Sequence, residues 1–170
     1  MAGNKKPRKA YRPRPVRTDI ATFMFEGDAQ LDATLQTSIL TAVHAAATSL
    51  VRGANDESAW HTIVNAFNIA QILSETAGNR EVGLNVMYAA QNAMIGIGER
   101  ANETGRLVFT GEELKAMNAG VALFEQFAQT VSKRQYAAAA GESVRRVRVG
   151  TVVKLRRAGE TKRFALLETA

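Results

Sequence analysis

The sequence of 170 residues contains no cysteine, and this absence excludes several classes of function. Without cysteine the chain can form no disulfide, thiolate nucleophile, zinc finger or iron–sulfur cluster. It has only two histidines, His44 and His61, with no HxxxH or ExxH spacing, so we expect no metal site. No apolar stretch approaches the roughly 18–20 residues that a membrane span needs, and the basic N-terminus lacks the apolar run of a signal peptide. We therefore expect a cytoplasmic protein that makes no membrane contact.

Motifs for catalysis or cofactor binding are also missing. Gly96-Ile97-Gly98 lacks the third glycine of a dinucleotide fingerprint and follows helical periodicity instead of a strand. Thr110-Gly111 has no lysine–serine pair of a phosphate-binding loop beside it, and there is no GxSxG. The sequence therefore predicts that the protein is not an enzyme and that it uses no cofactor.

Proline and charge are unevenly distributed along the chain. All three prolines lie in residues 1–17, which carry seven cations and no acidic residue. Residues 18–141 carry seven cations and thirteen acidic residues, whereas residues 142–170 carry eight cations and three acidic residues. Because proline fixes φ and keeps the preceding residue extended, we expect the first segment to be an extended arm. The charge pattern predicts three parts: a basic arm (1–17), an acidic helical body (18–141) and a basic β-ribbon (142–170).

Apolar residues recur every three or four positions through the body, which predicts helices over residues 29–52, 55–76, 80–103 and 110–140. Gly53, Gly78, Gly105 and Gly141 are the expected stops. Thr110 and Glu113 have the spacing of a capping box, so we expect the fourth helix to begin there.

The period changes after residue 141. From Val147 to Arg156 apolar and cationic residues alternate, which predicts a half-buried strand, and residues 161–167 can return as a second strand. The predicted fold is therefore mainly α: a compact bundle of about four helices with a C-terminal β-hairpin or ribbon and an extended basic N-terminal arm.

Two basic surfaces are the candidate binding sites, one in the arm and one in the predicted ribbon. Flexible cations release counterions from nucleic acid and give salt-dependent affinity, and an antiparallel ribbon can enter a major groove. The alternatives are an arm that docks on an acidic protein surface or a neighbouring subunit, a solubilising tail, and an edge strand protected by its charges. The candidate residues are Lys5, Lys6, Arg8, Lys9, Tyr11, Arg12, Arg14, Arg17, Arg145, Arg146, Arg148, Lys154, Arg156, Arg157, Lys162 and Arg163.

Several segments resemble short uncharacterised proteins encoded by bacteriophages and prophages. The opening KPRKAYRPRPV is similar to their basic arms, which end in YRPRPV or YRPKPV. Residues 44–53, 64–68, 104–106 and 110–114 resemble their middle section, so the resemblance extends to about residue 130 and leaves the basic C-terminus outside it. It implies a mobile-element origin and a small cytoplasmic protein that binds a partner.

We therefore expect a non-enzymatic, phage-type nucleic-acid-binding protein, with DNA as the favoured ligand and a homo-oligomeric state. The alternative is a protein–protein binder, either a virion or assembly component or an inhibitor of a host complex. In that case the arm would dock on an acidic surface.

Overall fold

The helical body follows the apolar periodicity of the sequence. The computed structural model describes residues 29–149 and, for the backbone alone, residues 154–158 and 161–165. The prediction of a mainly helical bundle is confirmed for residues 29–149, which form five helices. They are α1 (Ala33–Val51), α2 (Glu57–Thr76), α3 (Arg80–Thr104), α4 (Gly111–Thr130) and α5 (Lys133–Val149).

Local capping signals set the starts of α2 and α4. The carboxylate of Asp56 accepts hydrogen bonds from the backbone N–H groups of Ser58 at 2.9 Å and Ala59 at 3.2 Å. The Thr110 hydroxyl accepts from the Glu113 N–H at 3.3 Å, and the Glu113 carboxylate accepts from the Thr110 N–H at 2.8 Å. The predicted capping box is therefore confirmed.

Glycines in the left-handed region follow α1 and α3. Gly53 has φ 78° and Gly105 has φ 72°, conformations that other residues rarely adopt. The predicted stops at these two glycines are confirmed.

The prediction of one helix over residues 110–140 is wrong, because the chain breaks at Val131. This residue is extended and its side chain is buried, and α5 starts two residues later at Lys133. A second reciprocal cap starts α5. The Ser132 hydroxyl accepts from the Gln135 N–H at 3.2 Å, and the Gln135 side-chain oxygen accepts from the Ser132 N–H at 2.9 Å.

Gly141 does not end a helix, since α5 continues through it to Val149. The strand predicted from Val147 onward is therefore wrong for Val147 to Val149. Ala139 and Ser143 are buried, and the half-buried Val147 follows four residues later, so the inward side of this segment has a helical period. The alternation of valine and arginine that predicted a strand is too short to outweigh that period.

Beyond α5 the described backbone consists of two antiparallel strands, β1 (Lys154–Ala158) and β2 (Thr161–Ala165). Their side chains lie outside the described residues. The C-terminal ribbon, as an element that packs on the helices and presents cations, therefore stays a prediction. None of the helices between residues 29 and 149 is both long and apolar enough to cross a membrane.

The main core fills the space between α1, α2, α3 and α4. Trp60 lies at its centre with 1% of its surface exposed, and its indole Nε1–H donates a hydrogen bond of 3.0 Å to the Met94 carbonyl oxygen in α3. The bond satisfies the one polar atom of a large apolar side chain and fixes α2 against α3. The other large side chains that are fully buried in this core include Phe67, Phe124, Leu50, Ile63, Met87, Ile97 and Met117.

A second, smaller core joins the start of the described chain to α5. We call it the Leu31 cluster, and the half-buried Phe127 and Tyr136 flank it. Next to it, the Ala29 carbonyl oxygen accepts a hydrogen bond of 2.9 Å from the Lys133 N–H, and Gln30 forms a β-bridge with Ser132. The chain therefore enters the bundle at the junction of α4 and α5. The buried members of the cluster are Leu31, Ile72, Leu73, Val131 and Ala139.

Helix α4 passes so close to α2 and α3 at Gly120 that no side chain fits. A Cβ atom at this position would lie 2.7 Å from the Ala90 Cβ and 2.8 Å from the Phe67 ring. By contrast, a Cβ atom at Gly141 would have no heavy atom within 4 Å. The two helical glycines thus differ in packing.

We expect Gly120→Ala to destabilise the protein by about 1–3 kcal/mol, because the new methyl group overpacks the contact with Phe67 and Ala90. Gly141→Ala should raise stability by up to about 1 kcal/mol, because alanine is the better helix former and meets nothing. Thermal unfolding followed by circular dichroism measures both. A Gly120→Ala variant as stable as the wild type would contradict the close approach.

Candidate functional site

Three arginines lie along the exposed side of α5. Arg134, Arg145 and Arg148 are all exposed, and their spacings of eleven and three residues put them on one side of the helix. The exposed residues between Arg134 and Arg145 on that side are small, Ala138 and Gly141, and the exposed Val144 lies one turn before Arg148. We call this surface the arginine face. From Arg134 to Arg148 it is roughly 21 Å long at the rise of an α-helix.

The opposite side of α5 holds the helix against the C-terminal part of α2. Ala139 packs with Ile72 and Leu73 in the Leu31 cluster, and Ser143 is buried one turn further along. Tyr136 is half-buried at the same contact, and burial raises the pKa of its phenol. Because this side is anchored, the arginine face is turned to solvent.

Arg146 uses its whole guanidinium group to fix α5 in this position. Its Nη1 and Nη2 atoms each donate to a different oxygen of the Glu75 carboxylate at 2.7 Å, and its Nε donates to Glu142 at 2.9 Å. The side chains of Arg146 and Glu75 are only 22% and 26% exposed. These hydrogen bonds raise the pKa of Arg146 and lower that of Glu75. Arg146 therefore holds the helix in place and does not project outward.

Glu142 links Arg146 to the arginine face. Its carboxylate accepts hydrogen bonds from the Arg145 Nε at 2.6 Å and Nη2 at 2.7 Å. The hydrogen bonds from Arg145 and Arg146 lower the pKa of Glu142 to about 2. The two carboxylates of Glu75 and Glu142 balance the charges of these two arginines. Within residues 29–149 Arg134 and Arg148 have no ion-pair partner, so their charges are left uncompensated.

The structure thus separates the three candidate residues of this segment. Arg145 and Arg148 lie together on the exposed surface, whereas Arg146 lies in an ion pair. Arg134 belongs to the same surface, but the sequence did not indicate it, because the predicted fourth helix included residue 134 and ended before Arg145 and Arg148. Arg134 lies eleven residues before Arg145 and fourteen before Arg148, spacings that put residues on one side of a helix. A predicted helix that continued through residue 141 would have shown this.

The remaining candidate residues lie outside the residues whose side chains the structure describes. They are Lys5, Lys6, Arg8, Lys9, Tyr11, Arg12, Arg14 and Arg17 in the arm, and Lys154, Arg156, Arg157, Lys162 and Arg163 in the C-terminal segment.

An open cleft of about 820 Å³ lies between α1 and α4. His44 on α1 and Glu125 on α4 approach to 3.5 Å there, and both side chains are more than a third exposed. The Thr48 hydroxyl on the same surface donates to the His44 carbonyl oxygen at 2.8 Å, so it is engaged in its own helix. None of the hydroxyl groups that line the cleft is hydrogen-bonded to the His44 imidazole, and no cluster of three or more metal-ligating side chains occurs among the residues that the structure describes. We therefore place the candidate site on α5.

The chain matches no known protein-family model, and no curated protein or solved structure shows significant similarity to it. The chemistry of the site must therefore be argued from its own residues.

The contacts of Arg146 predict an acid-sensitive attachment of α5. Since Arg146 lowers the pKa of Glu75 below its ordinary value of 4.5, the pair stabilises the fold above that pH and loses this contribution as the pH falls through the lowered pKa. Glu75→Gln should cost about 1–2 kcal/mol at pH 7, because it leaves half-buried donors without a charged acceptor. The difference in the free energy of unfolding between this variant and the wild type should become smaller below pH 4.5. Urea unfolding of both proteins at several pH values measures that difference.

Glu112→Gln is the matched control, because Glu112 is 94% exposed and lies 4.0 Å from Lys115, which is 82% exposed. This variant should unfold like the wild type at every pH. A loss of stability for Glu75→Gln that is the same at pH 7 and at pH 3 would contradict the ion-pair account.

Proposed function

We propose that this chain is a non-enzymatic nucleic-acid-binding protein that contacts phosphates through the basic arm, the arginine face of α5 and the predicted C-terminal ribbon. The observation that carries the proposal is the arginine face. Arg134 and Arg148, which have no ion-pair partner among residues 29–149, lie on one solvent-exposed helix surface with Arg145 beside them.

Guanidinium groups are well suited to phosphate. Each offers a planar fork of N–H donors that matches two phosphate oxygens, and it keeps its charge at any physiological pH. The exposed ion pair between Arg145 and Glu142 costs little to exchange for a phosphate contact, because exposed pairs contribute little stability. At roughly 21 Å, the face is as long as about six phosphate steps of one strand.

The small residues of the arginine face support a close approach. Ala138 and Gly141 carry no long side chain, so a sugar–phosphate backbone can lie against the helix between Arg134 and Arg145. In this proposal the phosphate contact near Arg148 is made by a helix. The sequence had predicted a strand of the ribbon for residues 147–149. Phosphate contacts position a protein on nucleic acid without reading its sequence, so the proposal includes no base specificity.

The arm extends this surface. Residues 1–17 supply seven further cations, and the chain enters the bundle at the Ala29–Lys133 hydrogen bond, directly beside the start of α5. Eleven residues, 18–28, connect the arm to this point, and a connection of that length lets one polyanion contact both the arm and the arginine face. DNA as the ligand, a phage-type origin, a cytoplasmic location and a homo-oligomeric state belong to the same proposal.

Binding to a labelled DNA duplex and to single-stranded RNA, followed by fluorescence anisotropy between about 50 and 200 mM salt, tests the proposal. We expect affinity that falls steeply with salt. Arg134→Gln/Arg148→Gln should weaken binding at low salt and reduce the slope of log K against log salt by about 2, since each lost phosphate contact removes about 0.9.

Arg52→Gln/Arg106→Gln is the matched control. It removes the same charge from two exposed arginines at the other end of the bundle, where Asn55 donates to the Gly105 carbonyl oxygen. This variant should bind nearly as well as the wild type. No binding at about 50 mM salt, or an equal loss in both double variants, would overturn the proposal. An arm-dependent protein complex that resists nuclease, with no binding to nucleic acid, would favour the protein-binding alternative.

A further inference from the structure

An apolar groove lies on the opposite side of α4 from the His44 cleft. It has a volume of about 630 Å³, which is within the size range of ligand pockets. Val82 at its rim is 67% exposed, a large fraction for an aliphatic side chain, and Val86, Leu123 and Phe127 are half-buried along it. Among residues 29–149 the groove is thus a concave apolar surface without a cover.

The groove opens toward the point where the chain enters the bundle. Phe127 lines the groove and also flanks the Leu31 cluster, so the two apolar regions are continuous. Residue 29 is hydrogen-bonded to Lys133, which lies six residues beyond Phe127 at the adjoining helix junction. The described chain therefore begins within a few residues of one end of the groove.

The segment that directly precedes this entry point has the matching chemistry. Residues 20–25 read IATFMF, which includes Phe23, Met24 and Phe25. Only Glu26, Gly27 and Asp28 separate Phe25 from Ala29, and four Cα-to-Cα steps reach up to about 14 Å. That reach exceeds the roughly 4.5 Å that three residues of α4 cover from Thr130 back to Phe127.

We propose that residues 20–25 of this chain dock in the groove between α3 and α4, with Phe23 and Phe25 as anchors against Val82, Leu123 and Phe127. Aromatic side chains bury roughly 150–250 Å² each, so two of them supply most of the contact. A tether of three residues gives the segment an effective concentration in the millimolar range. A second copy at micromolar concentration cannot compete with it. Docking leaves residues 1–19, which include the basic arm, outside the groove, and its consequence for nucleic-acid binding rests on the proposed function above.

The absence of cysteine makes the docking directly measurable. Glu26→Cys/Gln126→Cys places one thiol beside the anchors and the other on an exposed residue of the groove that is not one of their proposed contacts. A disulfide forms only when the two Cα atoms come within about 7 Å. With oxidised glutathione and no nucleic acid present, we expect a disulfide within one chain, seen as a faster band on a non-reducing gel.

The tether alone keeps the two thiols near each other, so the anchors must be tested separately. Adding Phe23→Ser/Phe25→Ser to the same background should slow the disulfide at least about tenfold, because it removes the apolar contact that holds the segment. Adding Ala21→Ser/Thr22→Ser, which also changes two residues of the segment to serine but removes no aromatic ring, should slow the disulfide much less. An equal rate with and without the two phenylalanines, or a disulfide mainly between two chains, would overturn the proposal. The readout needs no nucleic acid, so it fails or succeeds independently of the proposed function.

Discussion

The ion pair between Arg146 and Glu75 determines which surface α5 presents. The guanidinium bridges the end of α2 and, through Glu142, its own helix, so that α5 cannot rotate without breaking several short hydrogen bonds. Since a half-buried charge left unpaired is costly, the orientation is defined by electrostatics as much as by the apolar contacts of Ala139. The exposed position of Arg134, Arg145 and Arg148 follows from that orientation.

Much of the fold could be predicted from the sequence because its signals are local. The apolar periodicity, the Thr110–Glu113 cap and the glycines after α1 and α3 each depend on residues within a few positions of one another. The break at Val131 was missed, although Ser132 and Gln135 carry the spacing of a cap, because its other cause is distant in sequence. Val131 is buried against Leu31, one hundred residues earlier, and no local pattern encodes that contact.

The candidate site was predictable in its chemistry but not in its geometry. Arginines near residue 145 were identified from charge, and two of them are exposed as a binding surface requires. That Arg146 differs from its neighbours depends on Glu75, which lies 71 residues away. Arg134 shares a surface with Arg145 and Arg148 only because α5 continues as one helix through Gly141. The glycine and the arginine–valine alternation after it both predicted that the helix ends there.

The hydrogen bond between Ala29 and Lys133 has a mechanical consequence. It joins the incoming chain at Ala29 to the first residue of α5, so that the N-terminal segment and the last helix of the body are attached at the same point. A displacement of either one would disturb the Ser132 cap and the Leu31 cluster first, and Phe127 and Tyr136, which pack against both cores, would pass it on to the core around Trp60.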